Sequence, residues 1–139
     1  MTKSFALKVE DKGGYLHFRV IGPNTPEAVR GYLGDVYFTC AQRQSPAILI
    51  EENLRGTGLG IFDIFEIVSE ASDRTWPYVR RIAYVDVNPE HSLPDMKFAE
   101  TVAVNRGVNI RVFASVRDAE QWLGEAPVGK TEVLPPSRS

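Results

Sequence analysis

The chain has 139 residues, of which 43% are hydrophobic and 24% charged, a balance typical of a soluble globular protein. Its formal net charge of -2 excludes the broad basic surface that attracts nucleic acid or anionic membranes. No apolar run approaches the roughly 20 residues that span a bilayer, and the first residues lack the apolar core of a secretory signal. The single cysteine, Cys40, excludes an internal disulfide and a multi-cysteine metal site. We therefore expect a cytoplasmic single-domain protein.

The first half of the chain predicts two strands, a helix and a third strand. Residues 5–10 alternate apolar and polar side chains, and after a Gly-Gly turn residues 15–21 resume strand character, which indicates a β-hairpin. Thr25 and Pro26 are a typical N-cap and first helical residue. One apolar helix face follows, made by Val29, Leu33, Val36, Tyr37 and Cys40. Ser45-Pro46 ends this helix, and a short apolar strand is predicted over Ala47–Ile50.

An Arg-Gly-Thr-Gly-Leu-Gly loop, residues 55–60, leads into the most apolar helical pattern of the chain. A glycine-rich turn before a helix collects backbone N–H groups and the positive end of the helix dipole, so if the protein has a switch or an anion site, we expect it there. We expect most of this helix to be buried. Only a narrow acidic stripe should face water, made by Asp63, Glu66, Glu70 and Asp73.

The second half alternates strands with helices, over residues 81–87, 94–106, 109–113 and 115–124. The whole order is β-β-α-β-α-β-α-β-α, which predicts an α/β domain with a mixed, mostly parallel sheet flanked by helices. We place this domain at residues 1–125. Residues 126–139 have no period and several helix-breaking residues, so they are predicted to form a flexible tail.

The residues that usually carry chemistry are sparse. His17 alternates outward on its strand, and His91 lies in a loop near Asp86 and Glu90. The two histidines are far apart in the sequence and have no metal-ligand spacing. Cys40 is interpreted as a small buried hydrophobe. The glycine loop lacks the third Rossmann glycine and the P-loop lysine, which argues against a nucleotide. We expect no enzyme, no cofactor and no metal.

This element order, with its glycine loop after the third strand, resembles the STAS domain of bacterial anti-sigma-factor antagonists and of sulfate-transporter tails. The family's loop typically reads Asp-Ser-Ser/Thr-Gly-Leu/Ile-Gly, so the resemblance puts Thr57 at the phosphoacceptor position. Three residues match behind it: Gly58, Leu59 and Gly60. Arg55 and Gly56 stand where the family has Asp-Ser. The resemblance covers Phe5 to Leu123 and implies a STAS-like fold.

The leading hypothesis from this resemblance is a non-enzymatic signalling module that docks a regulatory partner, a kinase or an anti-sigma-type ATPase. The predicted partner-binding residues are Arg55, Gly56, Gly58, Leu59, Gly60, Asp63 and Glu66. Thr57 is the candidate phosphoacceptor, from its position in the family's loop. A phosphate there would add about -1.5 to -2 charge, and Arg55 could pair with it. The alternative is that Thr57 serves as a helix N-cap or fills the loop.

A second hypothesis is a carrier or sensor of a small apolar ligand, which related STAS-like bacterial proteins are suspected to bind. The aromatic residues would then line a pocket: Phe62, Phe65, Trp76, Tyr78, Phe98 and Trp122. An apolar cavity with a few polar groups at its mouth would favour this hypothesis, and a densely filled interior would oppose it. A hydrolytic or transferase enzyme is the third alternative. Exposed apolar residues on the helix after the loop would equally mark a homodimer face.

Overall fold

The computed structural model describes residues 3–125, so the predicted tail at 126–139 lies outside the described residues. The strands are β1 (Ala6–Asp11), β2 (Leu16–Pro23), β3 (Ala47–Arg55), β4 (Arg81–Asp86) and β5 (Ile110–Phe113). The helices are α1 (Pro26–Arg43), α2 (Ile61–Asp73), α3 (Leu93–Asn105) and α4 (Val116–Glu125). The predicted order of elements is confirmed.

The five strands form one sheet in the order β1-β2-β3-β4-β5. β1 pairs with β2 antiparallel, and the other neighbouring pairs are parallel. The α/β prediction of a mixed, mostly parallel sheet is therefore confirmed. The carboxyl ends of the parallel strands β2, β3 and β4 meet at one edge of the sheet. Near this edge, the register places Glu52 of β3 beside Asp86 of β4.

The helices divide between the two faces of the sheet. Helices α1, α2 and α3 cover one face, where the buried core includes Phe18, Val36, Ile50 and Ile67. Helix α4 covers the other face against β3, β4 and β5, in a cluster built from Ala47, Leu49, Ala83, Val85, Ala119 and Leu123. We call the face under α1, α2 and α3 the cavity face, because a cavity lies on that side, and the opposite face the α4 face.

Local signals explain where α1 begins and how closely it approaches the sheet. The Thr25 hydroxyl accepts a hydrogen bond from the Ala28 N–H at 3.1 Å, and Pro26 occupies the first turn, as predicted. A Cβ atom on Gly31 would lie 2.8 Å from the Phe5 ring. Glycine at this helical position therefore lets Phe5 pack against α1, which offsets the propensity cost of glycine, about 1 kcal/mol.

Two predictions about the central elements are wrong. β3 does not end at Ile50 but continues to Arg55, because β2 and β4 hold it in parallel pairing on both sides. The expectation that most of α2 is buried also fails, since only Ile64 and Ile67 are buried. α2 packs one stripe against α1 and α3 and leaves its first apolar residues exposed.

The outward orientation predicted for His17 is wrong as well. Its side chain is 1% exposed, and Nε2 lies 2.8 Å from Oε1 of Glu51. His17 sits in β2 beside Leu49 of β3 and therefore points to the α4 face. Alternation along one strand cannot reveal that both faces of a central strand are covered.

Candidate functional site

The glycine loop is held by side chains from the ends of the neighbouring strands. Three side-chain donors bond to three backbone carbonyls of residues 54–57: Asn88 Nδ2 to Leu54 (2.7 Å), His91 Nε2 to Gly56 (2.8 Å) and Asn24 Nδ2 to Thr57 (2.9 Å). Gly56 has a φ of 105°, a left-handed conformation that favours glycine. These contacts fix the backbone of the loop relative to the sheet edge.

Thr57 is exposed within this fixed loop. The helix N-cap is Gly60, three residues later, so the interpretation of Thr57 as an N-cap is wrong. Arg55, Gly56, Gly58 and Gly60 are exposed too, and Leu59 is half-buried. The structure therefore brings the predicted loop residues onto one exposed turn.

His91 and Asp86 form a buried ion pair beneath the loop. Nδ1 of His91 lies 2.6 Å from Oδ2 of Asp86, and both side chains are 3% exposed. Burial by itself lowers the pKa of His91, but the hydrogen bonds to Asp86 and to the Gly56 carbonyl outweigh it, so the pKa lies above its usual value. Because each ring nitrogen faces an oxygen acceptor, the doubly protonated imidazolium suits this position.

A cavity of about 130 Å³ lies between the sheet and helices α2 and α3. Its walls are mainly apolar and include Leu59, Ile64, Ile67, Met96, Ala103 and Val112. Gly58, Ser92 and Asp95 line the end next to the glycine loop, and these three residues are exposed or half-buried. The loop singled out in the sequence therefore borders the mouth of an apolar cavity.

A buried polar cluster, which consists of Tyr32, Glu52 and Tyr84, lies against the inner wall of this cavity. Glu52 is 5% exposed, and its carboxylate accepts a hydrogen bond from the hydroxyl of Tyr32. Burial raises the pKa of Glu52, and the neighbouring Tyr32 and Tyr84 hydroxyls offset part of this shift. Burial also raises the pKa of each tyrosine, as does the neighbouring carboxylate. We call these three residues the Tyr–Glu–Tyr cluster.

None of the three residues of this cluster was among the site residues predicted from the sequence. Glu52 follows Ile48 and Ile50 at the strand period of two, so the correct length of β3 would have placed its side chain on the same buried face. Of the aromatic residues expected around a pocket, Trp76 lines the cavity. Phe62, Phe65 and Tyr78 are exposed, and Trp122 packs on the α4 face. Besides Trp76, the cavity is lined by Tyr32 and Tyr84, which were not among the predicted aromatic residues.

The first turns of α2 present an apolar patch to solvent. Its members are Ile61, Phe62 and Phe65, with Phe62 85% exposed. The acidic stripe of the same helix is largely paired: Arg30 lies 3.0 Å from Glu70 and 3.9 Å from Glu66, and Arg106 lies 3.2 Å from Asp73. We call Ile61, Phe62 and Phe65 the α2 patch.

The remaining candidates are explained by packing. Cys40 is buried in the core as predicted, and burial raises the pKa of its thiol to about 12, so the reactive thiolate is disfavoured. Within residues 3–125, no group of three or more His, Cys, Asp or Glu side chains is arranged to hold a metal ion. None of the helices in that range is both long and apolar enough to cross a membrane.

Comparison with known proteins supports the fold. No family model matches the chain, and no curated protein sequence matches it. The crystal structure of an anti-sigma factor antagonist from Mycobacterium paratuberculosis is similar, with a TM-score of 0.58 and 13% identity over 90% of this chain and 98% of that chain. An uncharacterised protein with a SpoIIAA-like fold from Shewanella loihica has a TM-score of 0.49 and 20% identity, covering 86% of this chain and 94% of that one. The predicted STAS-like fold is confirmed.

Proposed function

We propose that this chain is a regulatory protein-interaction module that docks a partner through α2 and the loop before it. The observation that carries this proposal is the α2 patch, whose three large apolar side chains are exposed at the start of one helix. Exposed apolar clusters on a folded domain are typical of interaction sites. The patch directly follows the glycine loop, whose backbone is fixed by hydrogen bonds, so a partner would meet a preorganised surface.

Around this patch we assign the partner contacts predicted from the sequence: Arg55, Gly56, Gly58, Leu59, Gly60, Asp63 and Glu66. The apolar patch would supply most of the affinity, because desolvated aromatic side chains dominate interface energies. The charged residues at its rim would orient the partner, and Arg30 already neutralises part of the acidic stripe. The partner class remains the one implied by the STAS resemblance, a kinase or an anti-sigma-type ATPase in the cytoplasm.

We further propose Thr57 as the site of a phospho-switch. Thr57 is exposed and lies four residues before the α2 patch. A phosphate there would add about -1.5 to -2 charge at the docking surface, and a partner surface built for the neutral loop would be repelled. Arg55 is exposed on the same loop and could pair with the phosphate once the partner has left.

The docking surface can be tested with two matched phenylalanines. Phe62 on α2 is 85% exposed and Phe38 on α1 is 63% exposed, so an aspartate at either position should leave the core intact. We expect tagged wild-type protein and Phe38→Asp to retain one ATP-binding regulatory protein, identified by mass spectrometry. Phe62→Asp should lose at least tenfold of it, a change of about 1.4 kcal/mol. Equal retention by all three proteins would refute the surface.

The phospho-switch requires a separate comparison. Thr57→Glu should weaken retention of the same partner, whereas Thr57→Ala should leave it unchanged and should no longer be phosphorylated by a cognate kinase. Continued phosphorylation of Thr57→Ala would reject Thr57 as the acceptor without affecting the docking proposal. Recovery of a second copy of this chain in place of a regulatory protein would indicate a homodimer face.

A second candidate function is the binding of a small apolar ligand, and the cavity is the observation that favours it. Protein interiors are ordinarily close-packed, and apolar pockets with a few polar groups are typical of ligand sites. Ala103 lines the cavity and is 3% exposed, so leucine at this position should fill part of the volume. Native mass spectrometry should detect a bound small molecule on the wild-type chain and not on Ala103→Leu. Identical spectra with no bound mass would reject this function.

A further inference from the structure

The polar end of the cavity restricts the kind of ligand that the second candidate function can involve. The Glu52 carboxylate accepts from the Tyr32 hydroxyl, so the proton of that hydroxyl is already used, and Tyr84 lines the same wall of the cavity. Each phenol oxygen keeps acceptor capacity, and an ionised carboxylate has about four acceptor positions. The Tyr–Glu–Tyr cluster therefore offers a ligand mainly acceptors, and the Tyr84 hydroxyl can either donate or accept.

His91 does not supply a further donor. Both of its ring nitrogens are occupied, Nδ1 at 2.6 Å from Asp86 and Nε2 at 2.8 Å from the Gly56 carbonyl. Its positive charge is balanced by Asp86, which leaves Glu52 as the uncompensated acid at this end. Asp95 adds a second carboxylate at the mouth. Past the mouth, where Ser92 and the first turn of α3 offer donors, an anionic group would meet the Glu52 carboxylate.

The opposite end of the cavity adjoins a second depression that shares Trp76, Ile82 and Val108 with it and contains Arg74, Arg80 and Arg106. Arg80 is exposed at the surface, and the other two guanidinium groups already have partners within the fold. Arg106 lies 3.2 Å from Asp73, and Arg74 lies over the Tyr37 ring at 5.1 Å. An acid group at this end would compete with those contacts, so the acceptor-rich inner wall is the stronger selector.

Cavity size limits the ligand further. An apolar cavity of about 150 Å³ in another protein binds benzene, so about 130 Å³ suits a single small ring. We propose that the cavity binds a neutral ring compound of phenol-like chemistry, in which one hydroxyl or N–H group donates to the Tyr–Glu–Tyr cluster. The apolar ring lies among Ile64, Ile67 and Val112. This site rests on the second candidate function and names its ligand class.

The experiment compares toluene, p-cresol and benzoate by isothermal titration calorimetry of the full chain at pH 8. Toluene and p-cresol differ by one hydroxyl, and benzoate replaces the donor by an anion. We expect p-cresol to bind at least tenfold more tightly than toluene, since it adds one hydrogen bond to a buried acceptor. Benzoate should bind at least tenfold more weakly than p-cresol.

Two variants locate the selectivity. Tyr84→Phe and Glu52→Gln should each reduce the preference for p-cresol over toluene to threefold or less while toluene still binds, and Ala103→Leu should weaken both probes. Circular dichroism melts of each variant verify that it folds. Equal binding of toluene and p-cresol to the wild type would overturn the donor selection but leave ligand binding intact. Benzoate as the tightest probe would overturn the proposal in favour of the arginine end, and failure of all three probes would reject ligand binding itself.

Discussion

The two faces of the β-sheet are packed in different ways. On the α4 face, small and branched side chains interlock, and Leu49, Ala83 and Ala119 are fully buried. On the cavity face, α2 and α3 cover the sheet but leave about 130 Å³ between them. Two consecutive residues of β3, Leu49 and Ile50, thus belong to two different cores, one on each face of the sheet. The second candidate function rests on this difference between the faces.

The two faces also differ in the polar groups that they bury. Along β3 and β4 the residues that face the cavity become polar towards the carboxyl ends of the strands, with Glu52 beside Asp86. Their partners are Tyr32, Tyr84 and His91. Burying such groups costs free energy unless each is paired. The pairs on this face hold the polar side chains in fixed positions beside the cavity. The α4 face buries the pair of His17 and Glu51 and is otherwise stabilised mainly by apolar contacts, a difference that substitutions can test.

The largest effect is expected when the buried ion pair is broken. His91→Ala would leave Asp86 buried without its partner, which typically costs about 3–5 kcal/mol in the free energy of unfolding. The pKa of His91 is raised in the folded state, so its stabilising contribution is fully present below about pH 6.5 and is lost as the pH rises through the folded value. Urea unfolding of wild type and His91→Ala should therefore show a larger gap at pH 6 than at pH 9.

Two further results bear on that prediction. Asp118→Ala, a change at an exposed carboxylate in the first turn of α4, serves as the control and should shift stability by about 0.5 kcal/mol or less. A gap between wild type and His91→Ala that is unchanged from pH 6 to pH 9 would mean that His91 acts as a neutral hydrogen-bond donor.

A matched pair of alanines compares the packing of the two faces directly. Ala119 on α4 is 0% exposed and Ala103 on α3 is 3% exposed, but only Ala103 borders the cavity. Ala119→Leu should overpack its face and destabilise the protein by about 1–3 kcal/mol. Ala103→Leu should cost less than about 1 kcal/mol, because the added methyl groups enter existing space. Equal losses in thermal denaturation would contradict the difference between the faces.

The fold was predictable from the sequence because local signals agreed with the global arrangement. The Thr25-Pro26 cap, the apolar runs of β3 and β4, and the alternation of strands with helices each indicate the same α/β topology. The position of the glycine loop at the end of β3 was predictable for the same reason. Strand length was not, since the pairing that extends β3 to Arg55 involves β2 and β4, which are distant in the sequence.

The burial of Glu52 and the exposure of Phe62 could not be predicted from the sequence. A glutamate after an apolar run is normally a strand terminus facing water, and only the hydroxyls of Tyr32 and Tyr84, from α1 and β4, make its burial tolerable. Likewise, the exposure of Phe62 depends on where α2 lies relative to α3. Such facts arise from contacts between distant segments, and a helical period cannot reveal which part of an apolar helix a neighbour leaves uncovered.

The smallest effect, and the sharpest test of the polar cluster, is expected from Glu52→Gln. Burial raises the pKa of Glu52 in the folded state, so the folded protein holds this proton more tightly than the unfolded chain does. Wild-type stability should then fall as the pH rises from about 4.3, the ordinary glutamate value, through the raised pKa. Glutamine keeps an acceptor for Tyr32 but carries no charge, so the variant lacks this loss.

The melting temperature of Glu52→Gln, relative to that of wild type, should be higher at pH 8 than at pH 5 by about 4 °C, which corresponds to about 1 kcal/mol. A Glu90→Gln control, at an exposed carboxylate, separates this effect from a general response to charge removal. If the wild-type and Glu52→Gln melting curves shift in parallel with pH, the carboxyl does not titrate in this range, and the cavity face carries no cost of buried charge there.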